Sequence, residues 1–151
     1  MRDTVNNEII NFLEENGCGV FGVNLFFGRV PEKNIEGKPT PTDCWWVMPL
    51  STSTSRHNVT GEDTIRFPYT LFCRSRQIKT LDKNLARATN AILDSHCYNL
   101  NGYKTIDIQL VSTNQGYGED QEERAYASLG FAATLYDITN PANLKPEDQS
   151  S

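Results

Sequence analysis

The sequence lacks most features by which a membrane protein, a zinc protein or a secreted protein is identified. Its 151 residues contain no run of about 18 apolar residues, so we expect no membrane-spanning helix. The four cysteines form no Cys-x-x-Cys pair, and the N-terminus lacks the charged-then-apolar pattern of a secretory signal. We therefore expect a cytoplasmic protein whose four thiols are reduced and mostly buried.

Only two histidines are present, and neither stands in a convincing catalytic arrangement. His57 follows a run of serines and threonines, but no third orienting group is recognisable. His96 and Cys97 are neighbours in a predicted helix, where their side chains point about 100° apart. Gly116-Tyr117-Gly118 precedes a strand rather than a helix, which argues against a phosphate site. We expect no catalytic activity and no cofactor, with a small hydrolase as a minor alternative.

Acidic residues outnumber basic ones, and the net charge of −5 argues against nonspecific binding to duplex DNA. The acidic run within residues 118–123 does not have the spacing of a calcium-binding loop, so we interpret it as a solvated turn without a metal. A local basic cluster keeps an RNA-binding module open as an alternative, although the order of elements differs from the common βαββαβ module. The cluster consists of Arg74, Arg76, Lys79, Lys83 and Arg87.

Hydrophobic periodicity predicts two helices and about five strands. One helix covers residues 4–16, with an apolar stripe of Val5, Ile9, Phe12 and Leu13, and stops at Asn16-Gly17. The other runs from Thr80, its predicted N-cap, to Cys97, and its predicted apolar face consists of Leu81, Leu85, Ala88, Ala91 and Ile92. Runs of strands with separate helices indicate an α+β domain over residues 1–137, with both helices packed on a mostly antiparallel sheet, and a flexible tail over 138–151. The strands are predicted over residues 20–30, 44–48, 64–74, 104–111 and 124–136. Pro68 cannot donate to a ladder, so we expect its strand at an edge or with a bulge.

Three predicted strands carry an aromatic side chain on the face opposite their main apolar row. Phe26 and Phe72 are two of these, and one of the adjacent Trp45 and Trp46 is the third, since neighbours in a strand face opposite sides. We expect Trp45 to pack inward with Val47, and Trp46 to face a neighbouring subunit. The alternative is that the first helix covers Trp46.

Two polar segments are predicted to be contact surfaces rather than core. One is the proline-rich arm over residues 31–43, and the other is the acidic loop over residues 118–123. Polar loops held on a rigid sheet commonly bind partners, so we expect both segments to meet other proteins.

Five segments of the sequence are informative about its family through their order along the chain and their lengths. They are DTVNNEIINFLEENG, VNLFFGRVP, IRFPYTLFCRS, LDKNLARATNAILDSH and ERAYASLGFAATLYD. In this arrangement the chain, over about residues 2–137, resembles the tail terminator, or minor capsid, proteins of phages with long non-contractile tails.

The resemblance implies a structural role without catalytic residues. Such proteins form a ring, usually a hexamer, that stops growth of the tail tube and joins it to the head. It implies assembly in the host cytoplasm, a place at the head-proximal end of the tail, and DNA that passes through the lumen without specific binding.

The implied partners are further copies of the chain, the major tail tube protein and a head-completion or connector protein, with no membrane. A head-completion or neck protein of the same particle is the alternative. The expected interface residues are Phe26, Lys33, Trp46, Arg56, Phe72, Arg74, Glu119, Asp120, Glu122 and Glu123.

Overall fold

Two helices and a single mixed sheet make up the computed structural model, which describes residues 2–51, 53–56, 63–95, 98–100, 104–112 and 117–137. The helices are α1 (Arg2–Glu15) and α2 (Ile78–Leu93). The strands are β1 (Leu25–Phe27), β2 (Cys44–Pro49), β3 (Ser53–Arg56), β4 (Asp63–Ser75), β5 (Tyr98–Leu100), β6 (Lys104–Ser112), β7 (Tyr117–Glu119) and β8 (Ala125–Asp137).

The sheet is mostly antiparallel, which confirms the predicted α+β class. Its strands follow the order β1-β2-β4-β8-β6-β5, with β3 pairing with β4 beyond the end of β2 and β7 pairing with β8. Only the pairing of β1 with β2 is parallel among the described strands. The short strands β3, β5 and β7 lie outside the predicted strands, because three or four residues are too few to show a period of two.

The apolar stripe of α1 is buried, and the helix stops where the sequence predicts. Gly17 has a φ of +78°, in the left-handed region that glycine adopts without strain. The amide of Cys18 donates to the Leu13 carbonyl at 2.9 Å, and that of Gly17 donates to the Glu14 carbonyl at 3.2 Å. These two bonds are those of a Schellman motif. The buried stripe consists of Val5, Ile9, Ile10 and Leu13.

The predicted face of α2 is confirmed, but its predicted ends are wrong. The helix begins at Ile78, because Gln77 is the last residue with an extended backbone, and no side chain caps it. The Thr80 hydroxyl is therefore inside the first turn, where it donates to the Gln77 side chain at 3.4 Å. The helix ends before Asp94, and residues 96 and 97 lie outside the described part. The buried face consists of Leu81, Leu85, Ala88 and Ile92.

The predicted strand over residues 20–30 is shortened to Leu25–Phe27. Residues 20–24 form a turn instead, in which the Val20 carbonyl accepts the amides of Asn24 and Leu25 at 3.0 and 3.1 Å. The side chain of Asn24 closes the turn by accepting the Val20 amide. Asparagine competes in this way with a strand ladder, which the alternation of apolar residues does not reveal.

The prediction that Pro68 marks an edge strand or a bulge is wrong. β4 pairs with β8 along one side, without a shift at Pro68, and with β2 and then β3 along the other. The Pro68 carbonyl accepts the Leu50 amide at 2.9 Å, so the proline nitrogen faces the side where β2 has ended and β3 has not begun. The missing N–H thus falls at an interruption of the neighbouring strand, and a proline is tolerated in a central strand.

The core lies between the helices and one face of the sheet. Trp45 and Val47 belong to it with 5% and 0% of their surface exposed, which confirms the predicted inward side of β2. The rings of Tyr69 and Phe131 stack at 5.3 Å across β4 and β8, and the Tyr69 hydroxyl donates to Asn6 of α1 at 2.6 Å. Neither described helix has the length and apolar character needed to cross a membrane.

Three of the cysteines are buried free thiols, as predicted, and Cys97 lies outside the described residues. Burial raises the pKa of Cys18 and of Cys44 to about 11, and that of Cys73 to about 12. Neutral thiols are poor nucleophiles, so these side chains act as small apolar residues of the core.

We predict that Trp45→Ala lowers the free energy of unfolding by about 3–5 kcal/mol, because it opens a large cavity in the core. The matched control is Trp46→Ala, which removes the same atoms from a half-buried position on the other face. Chemical denaturation of both variants, monitored by circular dichroism, measures the difference. Equal losses for the two tryptophans would contradict the assignment of the two faces.

Candidate interaction surface

One face of the sheet has no helix on it within the described part of the chain. Across the register, Phe26 pairs with Trp46 and Trp46 with Phe72, so their side chains form one row on this face. The rings of Trp46 and Phe72 stack at 5.0 Å with only 7° between their planes. Since α1 packs with Trp45 on the other side of β2, the alternative in which the first helix covers Trp46 is wrong.

The three aromatic side chains of this row are not equally accessible. Phe26 is 6% exposed and is already buried by its own chain. Trp46 and Phe72 are half-buried, so each is partly accessible to solvent. The stacked pair is therefore the apolar part of the row that a partner can reach.

The proline-rich arm beside this face is an ordered turn rather than an irregular loop. Its two sides meet where the Thr40 amide donates to the Glu32 carbonyl and the Asn34 amide donates to the Lys38 carbonyl, both at 2.9 Å. The Asn34 side chain also accepts the Lys38 amide at 3.2 Å. Lys33 lies on this arm with its side chain exposed.

Arg74 attaches the arm to the sheet. Its guanidinium donates to the carbonyls of Thr42 at 3.0 Å and Pro41 at 3.1 Å, and the residue is only 8% exposed. A buried guanidinium must be hydrogen-bonded, so these two bonds fix both the arginine and the end of the arm. Arg74 therefore acts in the described structure as a positioning residue beside the aromatic row.

The acidic segment forms the tip of a hairpin between β7 and β8, and Asp120 organises it. One carboxylate oxygen of Asp120 accepts the amides of Glu122 and Arg124, both at 2.9 Å, and the other accepts Nε of Arg124 at 2.7 Å. Desolvation opposes ionisation of Asp120, but the hydrogen bonds from Arg124 and Glu122 outweigh it and lower the pKa of the carboxyl. The tip is thus a folded turn.

The base of the hairpin has little space. A Cβ on Gly118 would clash with the ring of Tyr126, its partner across the two strands, so a larger residue would require the Tyr126 side chain to move. The hairpin is also tied to α2, where Asp82 accepts the Tyr117 hydroxyl, and to the segment before α2, where Arg76 donates to the Glu122 carbonyl. The predicted contact residues Glu119, Glu122 and Glu123 are exposed on this anchored element.

A groove of about 300 Å³ lies between residues 28–30, which precede the arm, and the hairpin, and its surface is mainly apolar. It brings together three of the predicted residues, Trp46, Arg74 and Asp120. Tyr126 is a lining residue that the sequence prediction missed, although it stands opposite the main apolar row of its strand, as Phe26 and Phe72 do. The groove is lined by Gly28, Arg29, Val30, Trp46, Arg74, Asp120 and Tyr126.

Other predicted residues lie elsewhere. Arg56 is the last residue of β3 and pairs with Asp63, at the opposite end of β4 from Arg74. His57, His96 and Cys97 lie outside the described residues. No group of three or more potential metal ligands occurs within the residues that the structure describes. The assembled features suit protein contact, because a stacked aromatic pair lies between two ordered polar elements.

We predict that Asp120→Ala destabilises the protein at pH 7 by about 0.5–1 kcal/mol, because the hairpin tip loses its acceptors. The folded-state pKa is lowered, so this contribution is present above the unfolded value of about 3.9 and disappears as pH falls through the folded value. Thermal unfolding measured in steps from pH 7 to pH 2 follows the change. Glu123→Ala is the control, and a difference independent of pH would contradict the role of Asp120.

Compared with known proteins, the chain matches no protein-family model and no curated protein. The case for its function therefore rests on the segments that carry the resemblance and on the chemistry of the surface described above.

Proposed function

We propose that the chain is a structural protein of a phage particle, the subunit of a ring at the head-proximal end of the tail. The ring caps the tail tube, ends its polymerisation and provides the surface that joins the head. The observation that carries this proposal is the row on the open sheet face, where Trp46 stacks on Phe72 and neither of the two described helices covers the pair.

A stacked, half-buried tryptophan favours contact with another protein. Tryptophan buries a large apolar area with few rotatable bonds, and such residues contribute strongly to interfaces. Around it the open face presents small and polar side chains, among them Thr70, Ser128 and Thr134. An apolar centre with a polar surround is typical of protein interfaces, and identical subunits usually close such contacts into symmetric assemblies.

The arm and the hairpin supply the remaining contacts in this proposal. Both are ordered by their own hydrogen bonds and by Arg74 and Asp120, so little conformational entropy is lost when they bind. The tail tube protein and the head connector are the partners for which these elements are suited. An acidic chain also repels the phosphates of DNA, which allows a genome to pass through a ring without being held.

The RNA-binding alternative is disfavoured by where the charges lie. Lys79, Lys83 and Arg87 are exposed on α2, on the helix side of the sheet. Trp46 and Phe72 are on the opposite side, so the basic residues and the aromatic rings cannot hold one strand together. Arg74, which is on the aromatic side, already uses its guanidinium within the chain.

We predict that the protein, alone or with tail tube protein, forms a closed ring of about six copies. Trp46→Ala should leave a folded monomer and weaken the ring, because it removes the largest accessible apolar side chain of the row. Ile78→Ala, at a 54% exposed position on α2, is the control. Native mass spectrometry over a range of concentrations measures assembly of all three proteins.

A monomer under every condition would overturn the proposed ring. Filter binding to single-stranded RNA and to duplex DNA tests the nucleic-acid alternative. Submicromolar affinity at physiological salt would favour that alternative over the ring.

We predict that Glu119→Lys with Glu123→Lys blocks head joining. The unfolding temperature should stay within about 2 °C of the parent, because neither glutamate has an ion pair among the described residues. Asp120 is left intact because it folds the hairpin tip. Electron microscopy of tails and titration of infectious particles measure the outcome. Charge reversal of Glu15, an exposed residue at the end of α1, is the control. Normal particles from the hairpin variant would exclude this element from head joining.

A further inference from the structure

Arg74 is the only charged residue that is buried among the residues the structure describes. Arginine keeps its proton at physiological pH, so burial cannot remove its charge as it can remove that of lysine. Its two hydrogen bonds, from Nε and Nη2, go to the neutral carbonyls of Thr42 and Pro41. Within the described part of the chain, no carboxylate forms an ion pair with it. Arg74 therefore carries a buried charge that no described group neutralises.

The carboxylates of this region are either bound to another cation or exposed to water. Asp120 and Glu122 both bind Arg124, at 2.7 and 3.2 Å. Glu32 and Asp43, on the arm, are exposed, so solvent screens their charges. None of these four groups serves as the counterion of the buried guanidinium.

Two adjoining grooves border Arg74. One, of about 310 Å³, has a mainly polar surface and lies between the arm and the hairpin, with Arg124 in its wall. The other is the mainly apolar groove of about 300 Å³ that is lined by Trp46 and Tyr126. Val30 and Arg74 line both grooves, so Arg74 lies where the polar groove meets the apolar one. Each volume is at the lower end of the range for ligand pockets, which suits single side chains better than a large ligand.

The charges that line the two grooves balance in number but not in burial. Three arginines and three carboxylates are present, so a polyanion such as nucleic acid gains no net attraction. The buried charge, however, is positive, and a single carboxylate that reaches it would form a charge-assisted hydrogen bond away from water. The charged lining residues are Arg29, Arg74 and Arg124, with Glu32, Asp120 and Glu122.

We propose that Arg74 binds an acidic side chain of a different protein, and that an apolar side chain next to that acid packs on Trp46 and Tyr126. Guanidinium and carboxylate groups match in a planar, bidentate geometry. Nη1 of Arg74 makes no hydrogen bond with a described residue, so it keeps donors for such a partner. This inference does not depend on the proposed ring, and it states the chemistry that a partner must carry to use the two grooves.

Two capped dipeptides test the site in the full chain. Acetyl-Phe-Glu-amide and acetyl-Phe-Gln-amide have nearly the same shape, but only the first is charged. In NMR titrations of isotope-labelled protein at pH 7, the first should shift the Trp46 indole N–H and the Arg74 Nε–H until the site is saturated. We expect the second to bind about tenfold more weakly, because it lacks the charge-assisted bond. Trp45, which is buried in the core, is the internal reference.

Equal affinity for the two dipeptides would overturn the proposal, as would the absence of a shift at Arg74. An equal response to inorganic phosphate or to a single-stranded DNA oligonucleotide would also overturn it, because the site would then bind anions in general. Asp94 follows the exposed Leu93 and is itself exposed, so a second copy could present the same chemistry. Self-association that the charged dipeptide and Asp94→Asn both abolish would assign the site to that copy, against a different protein.

A carboxylate placed within the chain gives an independent test. Val30 lines both grooves with Arg74, so Val30→Glu should supply a counterion from the same chain. We expect this variant to unfold about 2–4 °C above Val30→Gln at pH 7, and the difference to disappear below about pH 4, where glutamate is protonated. It should also lose affinity for acetyl-Phe-Glu-amide. A Val30→Glu variant that unfolds below Val30→Gln at pH 7 would show that Arg74 gains nothing from a carboxylate and would overturn the proposal.

Discussion

The antiparallel pairing of β4 with β8 is the interaction on which the rest of the structure depends. The two strands stay in register from Asp63 and Asp137 to Ser75 and Ala125. One face of this pair supplies the centre of the core under both helices, where Tyr69 stacks on Phe131. The other face carries Phe72 and Tyr126, and the β7 hairpin and β2 are paired to its two sides. The buried core and the open surface are therefore two sides of the same ladder.

Two hydrogen-bonded side chains turn polar segments of the sequence into ordered surface. Arg74 donates hydrogen bonds to two carbonyls of the arm, and Asp120 accepts hydrogen bonds from two amides of the hairpin. Both are charged, so each bond is stronger than one between neutral groups. The arm and the hairpin consequently stand at fixed positions beside the aromatic row, and the groove beside Trp46, to which both Arg74 and Asp120 contribute, has a defined shape.

Periodicity predicted the parts of the fold that are decided by burial along a single element. The stripe of α1, the face of α2 and the inward side of Trp45 follow from spacing, because a helix or strand must direct its apolar residues to one side. The terminator-like function remains a proposal, because an uncovered aromatic row indicates a contact without naming the partner.

The wrong predictions concern features that periodicity along one element does not reveal. These features are decided by contacts between segments distant in the sequence or by side-chain hydrogen bonds within a turn. Pro68 is acceptable only because β2 ends opposite it, which β4 alone does not reveal. Residues 20–24 leave the strand pattern because Asn24 bonds the backbone. The sequence alone suggests that Arg74 is an exposed cation, whereas its guanidinium is bonded to the arm.

The position of β8 after every other described element determines when the open face of the sheet can form. β4 leaves the ribosome well before its partner, which follows only after α2, β5, β6 and β7. Until then the apolar row of β4 has no strand to cover it on that side, and closing so long a loop is slow. The aromatic row and the hairpin both depend on β8, so an unfinished chain lacks the complete surface. The aromatic row and the hairpin can therefore form only after β8 has been synthesised.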